Sequence, residues 1–281
     1  MKHSLIIASF VLIIVFFFLF SANNAQTTLK YFPFNEHIQF DQAKTTLSVT
    51  EVNQHPLLQW SVESLIGNNA FLRHDVSLLF QNGQLKGIQS KWNQNEPAIQ
   101  QSTSLEPTGS QFFQSISVHY AEIHTTDQPI TSQYRMTNAS IYLIKDPFEP
   151  ILAFEQPNTA QEQKWAETLA HTTEQQLDLY WTELIEHFSI NRENYLEIPL
   201  ITLIDFQAKP LFSKTQTETN KIIAQLWEGL YKYYILPFTI NETISESFMP
   251  LILIDKNEEQ LFVLFVNASG EKQQLKQTIT N

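Results

Sequence analysis

Two pairs of residues have the spacing of metal ligands. His171 and Glu174 are three apart, and Glu183 and His187 are four apart. Side chains at i,i+3 or i,i+4 share one face of a helix. At about 1.5 Å per residue, the two pairs lie about 18 Å apart along a helix axis and build no common site. Each pair alone offers two ligands, where a catalytic zinc takes three from the protein. Both read as solvated surface pairs. His119 and His124 are five apart, which on a strand places them on opposite faces. Glu183 and Glu186 could form a carboxylate pair for glycan hydrolysis, but neighbours on one helix face do not bracket a sugar. His74 falls on the apolar side of a strand pattern. It reads as a hydrogen-bonded core histidine, with a catalytic base as the alternative.

The aromatic group Trp227, Tyr231, Tyr233, Tyr234 and Phe238 is the most suggestive cluster. Aromatics dominate both cores and binding hot spots, so a core stripe and a surface for a partner or glycan both stay open. Trp227, Leu230 and Tyr234 follow helical spacing as a core stripe. Tyr231 and Tyr233 are expected off that stripe, as exposed binding contacts.

Several chemistries lack their motif. Phosphate loops need glycine for close backbone approach. The six glycines, at 67, 83, 87, 109, 229 and 270, spell neither G-x-G-x-x-G nor a Walker A loop. G-x-S-x-G and H-E-x-x-H are absent, and neither Ser61 nor Ser64 begins an S-x-x-K. Without cysteine there is no disulfide, thiolate ligand, Cys nucleophile or lipid-modified Cys. No motif implies a cofactor or a metal.

Charge narrows the partners. The net charge is −12. Residues 30–158 carry 7 basic and 12 acidic residues, and residues 159–281 carry 9 and 17. Neither half offers a basic footprint, so nucleic acid and anionic lipid headgroups are not expected partners. An extracytoplasmic chain without cysteine suits a Gram-positive envelope, where the N-x-[ST] triplets at Asn138, Asn241 and Asn267 are inert.

These residues need elements to position them, and the first element concerns location. Leu5 to Phe20 contains one polar residue, Ser9, and the apolar run extends to Ala22. Eighteen helical residues span about 27 Å, close to the hydrocarbon thickness, whereas a signal-peptide core is about 7–15 residues. With cleavage after Ala25, Asn23 would occupy the −3 position, which favours small residues. The segment therefore reads as an uncleaved anchor contacting membrane lipid through residues 5–22; cleavage after Ala25 would give a secreted protein instead. Lys2 puts the N-terminus in the cytoplasm and the bulk of the chain outside.

Residues 23–45 read as a juxtamembrane linker. Its Tyr31–Phe34 cluster sits at the membrane interface or docks on the folded domain. Residues 46–150 alternate with period two, as in LRHDVSLLF, and Asn82-Gly83 signals a hairpin. An antiparallel meander with one buried face is expected. Prolines at 147, 150 and 157 mark the boundary to residues 151–281. There Thr159 and Glu162 form a capping box for a helix to about Phe188. YLEIPLITLIDF suits a central strand. Thr215 and Glu218 cap a second helix, expected to end before Pro237, and three strands follow. The fold class is thus α+β: a membrane helix, a β-meander half, then an α-β-α-β-β-β half. The anchor and the lack of a catalytic motif point to a non-catalytic role, binding or regulating another envelope component, with another envelope protein as the expected partner. A cell-wall hydrolase and a small-ligand or peptide sensor are the alternatives.

Overall fold

The alternating stretches fold into antiparallel strands, because period-two apolar residues bury one side of a pleated ribbon against a second layer. The computed structural model describes residues 32–35, 38–52, 55–67, 70–124, 129–146, 150–240 and 246–279. The apolar run 5–22, and with it the expected anchor, lies outside them. No helix among the described residues is long and apolar enough to cross a membrane. The architecture is rich in antiparallel sheet, with few helices.

Strands β1 (Phe40–Val52), β2 (His55–Ile66), β3 (Leu72–Gln81) and β4 (Gln84–Gln94) are followed by β5 (Ala98–Leu105), β6 (Gln111–Ile123), β7 (Thr131–Ile144) and β8 (Leu152–Phe154). They do not form one meander. One sheet has the order β1-β2-β5 and the other β4-β3-β6-β7-β8. Leu47, Leu58, Trp60 and Val62 of the smaller sheet pack on Leu79, Phe113, Ile141 and Leu143 of the larger. The expectation of one buried face fails for this reason. β3 is buried from Arg73 to Phe80, and most of β6 is also buried, since the small sheet covers one side and helices the other.

β1 begins at Phe40, inside the segment expected to be linker. Just before it, Phe34 forms a bridge to Ser132, and its ring lies 5.3 Å from that of Tyr134. Phe34 is thus docked on the folded domain. Tyr31 lies outside the described residues.

Helix α1 (Ala160–His187) starts where Thr159 accepts from the Glu162 N–H. The Glu162 carboxylate reaches back one residue further than a capping box requires, to the Asn158 N–H at 2.6 Å. Strand β9 is only Tyr195–Pro199, and Leu200–Gln207 is a 3₁₀ helix, so the expected central strand is a short edge strand. Pro199 has no N–H to extend the ladder. Helix α2 (Gln216–Leu230) has a full capping box between Thr215 and Glu218. It continues through a π-helical turn at Tyr231–Ile235 into α3 (Leu236–Ile240), past the proline expected to end it. The Leu236 N–H bonds to the Tyr231 carbonyl, and this wider turn accommodates the donorless Pro237.

β10 (Leu251–Asp255), β11 (Gln260–Val266) and β12 (Lys272–Thr278) complete a third sheet of order β12-β11-β10-β9. α2 lies between this sheet and the five-stranded one. Its Trp227 Nε1–H points at Met136 Sδ at 3.2 Å, and Tyr134 Oη donates to its Asn220 carbonyl at 3.2 Å. On its other side, Gln277 Nε2 donates to the Ile222 carbonyl at 3.1 Å. α1 covers the opposite face of the third sheet, where Leu184 and Ile185 meet Leu251, Leu253 and Leu264.

Candidate functional site

Two places concentrate groups that could act, and they differ in access. The first lies between the two β-sheets. Period two puts Arg73, Asp75 and Ser77 of β3 on the side facing the small sheet, beside Ser115, Ser117 and His119 of β6. His119 Nδ1 is 2.7 Å from Asp75 Oδ2, and its Nε2 is 2.8 Å from the Thr137 hydroxyl. Hydroxyls extend the chain through Thr45, Ser117 and Ser77, at 2.6 Å between each neighbouring pair. Ser64 donates to Asp75 Oδ2 at 2.6 Å. Arg73 is buried, bonded to Ser64 and to the Pro97 carbonyl; burial lowers its pKa, opposed by Asp75.

A carboxylate, an imidazole and a hydroxyl in line resemble the logic of a nucleophilic triad. Here the carboxylate and imidazole have zero exposure, and the hydroxyls lead further into the core. The arrangement ties the two sheets together through a buried polar network in which Asp75 Oδ1 and Arg73 Nε have no partner among the described residues.

His74 lies on the opposite side of β3. It is buried, donates to or accepts from Ser90 Oγ at 2.8 Å, and stacks on Trp92 at 3.5 Å between ring centroids. Its Nδ1 has no partner among the described residues, and burial holds its pKa down at about 3. Tyr231 meets the His74 ring edge-on at 5.0 Å. The expectation of an exposed Tyr231 is therefore corrected: it is buried, and burial pushes its phenol up. Tyr231 follows Trp227 by four residues, so it shares the buried helix face.

Tyr233 does reach solvent, at 48% exposure. It stands beside the second place, an open groove of about 320 Å³ between α2 and the third sheet. Leu226, Gly229 and Tyr233 line the helical side, and Leu261, Val263 and Leu275 the sheet side. Gly229 matters to its shape. A Cβ there would meet only Leu275 Cδ1, at 3.4 Å, so the missing side chain leaves space without being forced by the fold. Gln277 crosses one end; its Nε2 is bonded, while its buried Oε1 has no partner among the described residues. Chemically the groove suits an apolar side chain with a hydrogen-bonding group near its mouth.

The other sequence candidates are dispersed. His171, Glu174, Glu183, Glu186 and His187 are exposed along α1, and Glu183 lies 3.8 Å from Lys272. His124 pairs with Glu122 and stacks on Phe71 at 3.9 Å, apart from the buried His119. Among the described residues no three His, Asp or Glu side chains gather as metal ligands. An S-x-x-K does occur at Ser269–Lys272, but Ser269 is exposed in the turn before β12, without a helix to aim the lysine at it. Arg73, Asp75 and the Gly229 groove escaped the sequence reading. Their signals were charges alternating with apolar residues in β3, and a glycine inside a helix. No family model, curated protein or solved structure matches this chain.

Proposed function

We propose that this chain is a single-pass, membrane-anchored protein of a bacterial envelope whose extracytoplasmic domain binds or regulates another envelope component without catalysing a reaction. On this reading residues 5–22 are the membrane anchor, followed by a β-rich part at 46–150 and an α+β part at 151–281. The observation that supports the binding role is the open groove beside Tyr233, between a helix and a sheet and lined mainly by apolar groups. The long apolar run near the N-terminus supports the anchor.

The test replaces Tyr233 with a photo-crosslinking phenylalanine derivative in the membrane-bound protein. A single reproducible envelope protein captured at that position supports the reading. Captured wall fragments would favour the hydrolase alternative, and capture unaffected by moving the crosslinker to exposed Leu179 would remove the groove from the account.

A further inference from the structure

We propose that the groove receives an extended segment of the partner as a strand added to β12, and that this segment alternates apolar with acidic residues. The inference deepens the binding reading and rests on it. β12 is the outer strand of its sheet. The Asn267 N–H donates to the Glu271 carbonyl at 2.9 Å, and the Ile279 N–H to the Glu259 carbonyl at 2.8 Å. The odd-numbered residues of β12 therefore turn their backbone groups toward β11. Alternate residues in an antiparallel ladder turn theirs the other way. Gln274 and Lys276 thus present N–H and C=O outward, with no strand paired to them among the described residues.

The side chains have the complementary parity. Leu275 pairs with Val263 and Gln277 with Leu261, and all four line the groove. A residue lying opposite Leu275 on an added strand points to the same face, into the space under Gly229. Glycine inside a helix is unfavourable relative to alanine, and no backbone strain requires it here. Its absent side chain leaves room beside Leu275, whose Cδ1 lies 3.4 Å from where a Cβ would stand.

Charge selects the occupant. Lys272 and Lys276 project from the other face of β12, where Lys272 Nζ lies 3.8 Å from Glu183 of α1 and Lys276 Nζ lies 5.7 Å from the Phe262 ring centroid, so that Lys276 is the cation an incoming carboxylate would meet. Pairing of two β12 strands from two copies would bring these lysines together, which edge lysines disfavour. An incoming strand with carboxylates at those cross-strand positions is favoured instead. The partner segment therefore carries apolar residues toward α2 and acidic residues on the lysine face, the strand-addition mode of peptide recognition.

The experiment uses the full chain in lipid nanodiscs and a fluorescein-labelled nonapeptide alternating glutamate with valine. Saturable binding is expected, weakened about tenfold or more when lysine replaces glutamate or alternate peptide amides are N-methylated. Gly229→Leu, which fills the groove, and Gln274→Pro, which removes an outward N–H, should weaken it similarly, with melting profiles recorded for both. The N-methylated peptide leaves the protein unaltered and decides the matter if a variant fails to fold. Equal binding of the glutamate and lysine peptides, indifference to N-methylation, or no saturable binding to the wild type would each overturn strand addition. If the Tyr233 crosslinker still captures an envelope protein in that case, the binding reading stands and only the mode of recognition falls.

Discussion

His119 and Asp75 sit directly opposite each other on β6 and β3, 2.7 Å apart and without solvent exposure. Asp75 Oδ2 also accepts from Ser64, while Oδ1 has no partner among the described residues. The carboxylate therefore depends on His119. His119→Phe should cost about 1–3 kcal/mol in denaturant unfolding, the penalty for leaving a buried polar group without its hydrogen-bond partner. A loss below about 1 kcal/mol would mean that the Ser64 hydroxyl suffices to hold the carboxylate.

His74 predicts a pH dependence of opposite origin. Burial holds its folded pKa at about 3, below the unfolded value of 6.5. As pH falls through 6.5 the unfolded chain takes up a proton that the folded one refuses. The stability from this group is thus complete above 6.5 and declines toward 3. Between pH 7 and pH 4 the loss should be roughly 3 kcal/mol. Denaturation of the wild type and His74→Phe at both pH values checks it; parallel losses in the two proteins would contradict the assignment.

The helix caps differ in a measurable way. Thr215 and Glu218 satisfy each other's backbone donors, whereas Glu162 passes Thr159 and bonds Asn158. Thr215→Ala should lower stability by about 1 kcal/mol. Thr159→Ala should cost less, since Thr215→Ala also removes a hydroxyl that donates to the Glu218 carboxylate at 2.7 Å. Equal midpoint shifts in urea would refute this ranking.

Two glycines should respond in opposite directions to alanine. Gly83 has φ +81°, and a Cβ there would meet Leu177 of α1 at 2.8 Å. Gly83→Ala should destabilise by about 1–3 kcal/mol, combining backbone strain with overpacking. Gly229→Ala meets only an ordinary contact and should stabilise α2 by up to about 1 kcal/mol. Thermal unfolding of both variants compares the two.

The proposed anchor makes its own prediction. N-terminal sequencing of protein recovered from the producing cell's membrane should find residues 5–22 retained. A chain beginning at Gln26 would make this a secreted protein.

Some of this was written locally in the sequence. The helix starts at Thr159 and Thr215, and the Asn82-Gly83 turn, depend on contacts within a few residues, and they stand where spacing places them. What failed was non-local. Alternation along β3 marks Arg73 and Asp75 as opposite in direction to Val76 and Leu78, but cannot say whether water or another sheet lies there. The burial of Tyr231 follows from the i+4 relation to Trp227 and from Trp92, a residue on a distant strand. The π-helical turn leaves no period in so short a stretch. The groove depends on a glycine, whose contribution is missing volume.

Gln207 adds a different consequence. Its side-chain amide bonds both backbone groups of Met136, accepting from the N–H at 2.7 Å and donating to the carbonyl at 2.9 Å. One amide thereby imitates a neighbouring strand on a stretch of β7 that β8 does not reach. Edge-to-edge stacking is blocked at that point by a hydrogen-bonding side chain, where on β12 it is disfavoured by lysines. A single glutamine thus closes a stretch of sheet edge that β8 leaves bare.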